Sequence, residues 1–206
     1  MIRLPKIAAV AALCLVVVGC ESKCDSIPFL GQQNVDIKND PTLGPVADAV
    51  TGGTPDVEKL AVIALLLAET GRMSAADAGN AFDNDVASLA AGNVDSQKIA
   101  QVLDATVDAY VSVVEAKARA AATWPASRAA SVWRIAAALQ IAVARKEIAA
   151  ARAAGEVPFT ALRQLNQVTA WTRGEDEPSN DPLAGYDDMV ERGVTVLSSG
   201  TVSLQE

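Results

Sequence analysis

Apolar residues recur every three or four positions over most of the chain between residues 55 and 173, and this spacing constrains the fold more than any other feature. A period near 3.6 residues places apolar side chains on one face of an α-helix, whereas a half-buried strand alternates with a period of two. Alanine runs at 120–122, 136–138 and 149–151 add high helix propensity. The sequence therefore predicts an all-α fold, a bundle of five or six helices.

Glycine and proline residues divide this region into five predicted helices. The helices start near residues 55, 74, 96, 127 and 159, and they end at or near Gly71, Gly92, Thr123, Gly155 and Arg173. Ser74 and Asp77 have the spacing of a capping box in its Asp form, which indicates a helix N-terminus. The third and fourth helices, 96–123 and 127–154, are predicted to form a long antiparallel hairpin of about 40 Å with a tight proline turn.

Beyond Arg173 the chain becomes acidic. Residues 174–206 contain eight acidic residues and one basic residue, and we predict an acidic linker followed by a C-terminal segment. Strand-forming residues are concentrated at 194–204, where Ser199-Gly200 predicts the turn of a small β-hairpin. The predicted helical bundle domain therefore covers residues 55–173.

The fourth predicted helix carries two sets of side chains on opposite faces. Its large aliphatic residues form a stripe that is predicted to face the core: Val132, Ile135, Leu139 and Val143. At 100° per residue, three arginines fall within about 20° of one another on the other side. Together with two neighbouring isoleucines they form the candidate partner-binding site: Arg134, Arg145, Arg152, Ile141 and Ile148. Such a ridge suits an acidic protein, an anionic polymer or anionic lipid headgroups.

An alternative is that these cations are neutralised within the chain. Residues 115–173 carry nine basic and three acidic groups, whereas the flanking regions are acidic. In an antiparallel hairpin the expected pairs are Asp104 with Lys146 or Arg145, and Glu115 with Arg134. Exposed ion pairs contribute only about 0–1 kcal/mol each, so internal pairing would leave the arginines open to a competing partner.

The chain contains no histidine, which removes the commonest general base and a common ligand of transition metals. Ser-His-Asp, Cys-His and His-zinc chemistry are thereby excluded. Asp83-Asn84-Asp85 begins like a calcium loop, but the sixth position is Ser88 instead of glycine. The sequence predicts no catalytic residue, no metal ligand and no cofactor, and it leaves carboxylate chemistry as the alternative for an enzyme.

The N-terminus has the form of a secretion signal. Arg3 and Lys6 precede an apolar run at 7–18, whose twelve residues fall short of the roughly 20 that span a bilayer as a helix. The run ends at Val17-Val18-Gly19-Cys20, which resembles the lipobox of bacterial lipoproteins. The resemblance implies that residues 1–19 are a signal peptide, that cleavage occurs before Cys20, and that Cys20 carries diacylglycerol and a further acyl chain such as palmitate.

The resemblance also implies a location outside the cytosol, because two or more acyl chains hold a protein stably at a membrane. Glu21 follows the cysteine where the inner-membrane retention signal of enteric bacteria has aspartate, which favours the periplasmic face of the outer membrane. Residues 20–54 contain the lipidated cysteine and a glycine- and proline-rich tether. Within this tether Cys24 is expected to be an unpaired thiol, with an intermolecular disulfide as the alternative.

The net charge of the mature chain distinguishes between possible classes of binding partner. Removal of residues 1–19 takes Arg3 and Lys6 from the seventeen basic residues and leaves all 25 acidic ones, a net charge of −10, which argues against nucleic acid. The sequence therefore predicts a membrane-anchored periplasmic lipoprotein whose helical domain has a binding or structural role without catalysis. The alternatives are a phage- or prophage-encoded envelope lipoprotein, for lysis or superinfection exclusion, and a carboxylate-based cell-envelope enzyme.

Overall fold

The structure, a computed structural model, describes residues 55–199 of the 206. The predictions for the signal peptide, the lipobox, Cys20, Cys24 and the tether lie outside the described residues. Within them the chain folds into six α-helices without strands, which confirms the all-α prediction. These are α1 (Pro55–Glu69), α2 (Ala75–Ala90), α3 (Ser96–Ala120), α4 (Ala130–Ala154), α5 (Phe159–Thr172) and α6 (Tyr186–Ser199).

Local signals set the end of α1, both ends of α2 and the C-terminal end of α4 as predicted, whereas α3 ends at Ala120, three residues before the predicted Thr123, and α4 begins at Ala130 instead of residue 127. The Ser74 side chain accepts a hydrogen bond from the Asp77 backbone N–H at 3.1 Å and caps α2. Gly71 and Gly92 follow α1 and α2 with φ of 68° each, and Gly155 follows α4 with φ of 74°. This left-handed conformation carries little steric penalty for glycine, which is why the helices stop there.

Helix α1 is the centre of the bundle. It packs against α2, α3 and α6, so its apolar residues are covered on three sides. Helix α5 packs against α3, and α4 lies at the far edge, mainly against α5 and more lightly against α3. The core accordingly runs from α1 through α3 to α5, and α4 closes one side of it.

The C-terminal region differs from the prediction. Residues 186–199 form helix α6 instead of the first strand of a hairpin, and Leu197 lies in the core. The close approach of α6 to α1 depends on Gly193, where an added Cβ would come within 2.7 Å of Val57 Cγ1. The β-propensity of Val194 and Val196 is overridden by this packing. The bundle therefore extends beyond residue 173 to the end of α6.

The long hairpin of α3 and α4 is antiparallel, as predicted, but its turn is longer. Residues 121–129 join the two helices in place of a tight turn. Trp133 holds this connection, because its indole Nε1 donates a hydrogen bond of 2.9 Å to the Pro125 carbonyl. The Trp133 ring also packs on Trp171 of α5, with ring centroids 5.1 Å apart. These contacts fix how α4 is rotated about its own axis.

Candidate functional site

The two faces of α4 are reversed relative to the prediction. Its aliphatic stripe points to solvent, with exposed fractions of 43% for Val132, 62% for Ile135, 63% for Leu139 and 46% for Val143. The buried residues lie on the other side of the helix and also recur every three or four positions: Trp133, Ala137, Ile141, Ala144 and Ile148. Both sets have helical periodicity, and the contacts of Trp133 select the second one.

This rotation corrects the candidate site. Ile141 and Ile148 are only 7% and 5% exposed and belong to the core, so neither projects from the surface as an anchor for a partner, and Ile141 presents only its edge. Arg134, Arg145 and Arg152 remain at the surface. The predicted ridge of three arginines flanked by two isoleucines is therefore reduced to its arginines.

Two of the three arginines bind carboxylates of α3. Arg145 Nη2 lies 2.7 Å from Glu115 Oε1, and Arg152 Nε lies 2.8 Å from Asp104 Oδ1. Arg152 Nη2 also contacts Asp108 at 3.2 Å. Hydrogen bonds from Arg152 to Asp104 and Asp108 raise the pKa of its guanidinium further. Because these groups are partly exposed, each pair contributes about 0–1 kcal/mol to stability.

Internal pairing thus occurs, but in a different register from the one predicted. Asp104 meets Arg152, six residues further along α4 than Lys146, a shift of about 9 Å along the helix. Glu115 meets Arg145 in place of Arg134. The long connection between α3 and α4 displaces the two helices relative to a symmetrical hairpin. Arg134 is left without an ion pair to any residue between 55 and 199.

Arg134 lies at an open groove of about 650 Å³ between the C-terminal part of α3 and the N-terminal half of α4. The groove is lined by Glu115, Ala118, Arg119, Trp124, Arg134, Ala137, Ala138 and Ile141. Its walls are basic, because Arg119 and Arg134 line it beside a single carboxylate, Glu115. Glu115 pairs with Arg119 at 3.2 Å and also with the neighbouring Arg145. Its floor is apolar, formed by alanines and the edge of Ile141.

A hydrogen-bond donor is buried at this groove. The Trp124 indole Nε1 is shielded from solvent and makes no hydrogen bond within the described part of the chain. Buried donors are nearly always satisfied in folded proteins, so this one is an exception in the wall of the groove, and a ligand would reach it only after the Trp124 side chain moved. The open groove therefore offers guanidinium groups and apolar contact surface to a single ligand.

The groove does not have the make-up of a metal centre. Within residues 55–199 no three carboxylate or cysteine side chains are arranged to hold a metal ion. Its one carboxylate, Glu115, is engaged by two arginines. The arrangement is suited to binding an anionic group by charge-assisted hydrogen bonds.

Sequence reasoning found part of this site and missed the rest. It singled out Arg134 and Ile141, which both line the groove. It missed Arg119 and Trp124, although Glu115 and Arg119 have the i,i+4 spacing of a helical ion pair, which was a usable signal. It also missed that the Val132–Val143 stripe faces outward.

No family model matches this chain, and no match was found among curated proteins or among solved structures. Among the described residues, no helix is both long enough and apolar enough to cross a membrane.

Proposed function

We propose that this protein is a lipid-anchored component of a bacterial envelope whose helical domain binds an acidic partner protein and does not catalyse a reaction. The observation that carries the binding role is the groove between α3 and α4, with its basic walls and apolar floor. The anchoring rests on the lipobox resemblance of residues 17–20 and on the charged, then apolar, segment before it.

The groove favours a protein segment over a simple polyanion. Arg119 and Arg145 both bind Glu115, and Arg134 has no ion pair to any residue between 55 and 199. The positive charge of three guanidinium groups is therefore balanced by a single carboxylate. A polyphosphate or similar polymer would use the charge but leave the alanine and Ile141 floor without a partner. A segment with a carboxylate and an adjacent apolar side chain would use both features, as peptides that dock in grooves do.

Charge steers such a partner to this edge of the domain. The chain carries 25 acidic and 17 basic residues, so most of its surface repels an acidic protein. The basic groups concentrate between residues 115 and 173. An acidic partner is therefore attracted to the α3–α4 edge and repelled elsewhere, and its association is expected to weaken as salt concentration rises.

The binding role is tested by reversing one charge. In the full-length chain expressed in an envelope, Arg134→Glu should abolish recovery of crosslinked partner proteins by affinity capture. Arg163→Glu is the matched control, because Arg163 is exposed on α5 away from the groove and the change in charge is identical. Equal recovery with Arg134→Glu and with the unaltered chain would refute binding at the groove.

The anchor is tested separately by mass spectrometry of the N-terminal peptide of the natural product. We expect a chain that starts at Cys20 and carries the mass of diacylglycerol, with loss of this modification in Cys20→Ser. A chain that starts at Met1 with an unmodified sulfur would refute the anchor. If Cys20 is modified, membrane fractionation then distinguishes the outer from the inner membrane. Glu21 predicts the outer membrane.

A further inference from the structure

The outward face of α4 is apolar along the whole helix. Its N-terminal half presents large side chains and its C-terminal half presents small ones: Val132, Ile135, Leu139 and Val143, then Ala142, Ala149, Ala150 and Ala153. No other helix between residues 55 and 199 covers this face. The four large residues expose roughly 400 Å², the size at which a surface patch is often functional. A single charged residue, Lys146, interrupts it.

The spacing on this face is that of a coiled-coil seam. Val132, Leu139, Lys146 and Ala153 are seven residues apart, and Ile135, Ala142 and Ala149 form the second row of the same repeat. Two rows at a spacing of three and four residues are the pattern by which one helix packs along another. The face therefore has the register of a helix-pairing surface, and it adjoins the Arg134 groove on the α3 side at Ala138.

We propose that this face pairs with the same face of a second copy of the chain, with the two α4 helices antiparallel about a two-fold axis between Leu139 and Ala142. In this arrangement Leu139 of one copy faces Ala142 of the other, and Val132 faces Ala149. The interface is self-complementary, as a two-fold dimer requires.

Size complementarity selects the antiparallel direction. The large half of each stripe meets the alanine half of its partner, so each large side chain has a small one opposite it and the two helices can approach closely. A parallel pair would place Leu139 against Leu139 and Ala149 against Ala149, which crowds one end and leaves voids at the other. Packing at constant density disfavours both defects.

Charge selects the same direction. In a parallel pair Lys146 would meet Lys146 within the seam, whereas in the antiparallel pair it meets Ile135. Its aliphatic stem then covers Ile135 while its ammonium group reaches solvent. The flanking Arg145 and Arg152 face Ala138 and Ser131 of the second copy, so no cations are opposed. Both arginines keep their ion pairs with α3 of their own copy.

The contact area is near the lower bound for a specific dimer. Helix α4 is 25 residues long, about 37 Å, and two such faces bury roughly 1,200 Å² in total. We therefore expect a reversible dimer. Co-anchoring in one membrane would raise its effective concentration, but the pairing itself does not depend on the proposed anchor or on the groove.

Disulfide crosslinking between differently tagged copies tests the pairing and its direction. The full chain, with Cys14, Cys20 and Cys24 replaced by serine, is prepared with either Val132→Cys or Ala149→Cys and purified in a mild non-ionic detergent. Mixed copies should form the 132–149 disulfide under oxidation. Copies that all carry Val132→Cys should not crosslink, since their cysteines are about 26 Å apart in the antiparallel pair.

The background rate comes from pairing Ala149→Cys with Gln101→Cys, an exposed position on α3. A 132–149 yield no higher than this background overturns the proposal. Efficient 132–132 and 149–149 disulfides overturn it as well, because they indicate a parallel pair.

A charge inserted in the seam provides the second variant. Leu139→Glu should remove the 132–149 crosslink while circular dichroism stays unchanged, because Leu139 is 63% exposed and supports little of the monomer fold. Gln101→Glu adds the same charge on α3 and should leave the crosslink intact.

If Leu139→Glu instead releases the chain from lipid vesicles and no crosslink forms in any variant, the stripe faces lipid and the dimer is refuted. None of these failures affects modification at Cys20 or capture that depends on Arg134.

Discussion

Helices α1 and α4 both carry more apolar residues than one core-facing stripe requires, but neighbouring helices cover the additional apolar residues of α1 and leave those of α4 exposed. In α1 the nine consecutive apolar residues 60–68 are covered by α2, α3 and α6, and most are 0–2% exposed. In α4, which lies at the edge, the aliphatic stripe from Val132 to Val143 remains open. An apolar stripe is therefore buried only as far as neighbouring helices are available to cover it.

The largest loss of stability is expected when a buried side chain of α1 is shortened. Leu66 is fully buried, so Leu66→Ala should lower the free energy of unfolding by an amount toward the upper end of about 2–5 kcal/mol, from lost burial and the cavity that remains. Urea denaturation followed by circular dichroism measures it. Ile135→Ala on the open stripe is the control. Similar losses in both variants would break the contrast between α1 and α4.

A comparison within α4 tests which face is buried. Ile141→Ala should cost at least about 2 kcal/mol because Ile141 is 7% exposed, whereas Leu139→Ala should cost less than about 0.5 kcal/mol. Both are measured by urea denaturation at high dilution, where a reversible dimer dissociates. The opposite ranking would mean that α4 is rotated by about half a turn.

The close contact of α6 with α1 gives an intermediate effect. Gly193→Ala places a Cβ within 2.7 Å of Val57 Cγ1 and 3.0 Å of Phe82 Cζ, so overpacking should cost about 1–3 kcal/mol. Thermal unfolding is the measurement. Gly79→Ala in α2 has open space around its Cβ and should not destabilise the protein. A neutral result at Gly193 would indicate that α6 does not pack tightly on α1.

The smallest effect is expected for the ion pairs that join α4 to α3. Arg152→Ala removes contacts to Asp104 and Asp108 but should change the free energy of unfolding by less than about 1 kcal/mol, because all three groups are partly exposed. Chemical denaturation at low and at high salt checks this, since high salt should reduce the difference further. A loss of several kcal/mol would show that these pairs, and not the buried face, hold α4 in place.

Several features of the fold could be predicted because their causes lie within a few residues of sequence. The stop at Gly71, the cap by Ser74 on Asp77 and the stop at Gly155 depend on local backbone conformation and short-range hydrogen bonds. The α6 helix could not be predicted in the same way, because the propensity of its valines favours a strand. Only its contact with Val57 and Phe82 makes the helix the better solution.

The candidate site was partly predictable for a similar reason. The basic character of residues 115–173 and the surface position of Arg134 follow from composition and helical spacing. The partner of each arginine does not, because the register of α3 against α4 depends on how residues 121–129 are folded. The groove, with Arg119 and Trp124 beside Arg134, exists only in that register.

The sequence by itself determined that this protein is helical, where most of its helices end and where its positive charge collects, because those properties depend on near neighbours along the chain. Only the tertiary structure decided which stripe of α4 faces inward, since both stripes have helical periodicity and similar apolar character. That choice depends on contacts such as Trp133 with Pro125 and Trp171, which join residues far apart in sequence. The same contacts decided that one apolar stripe would stay at the surface.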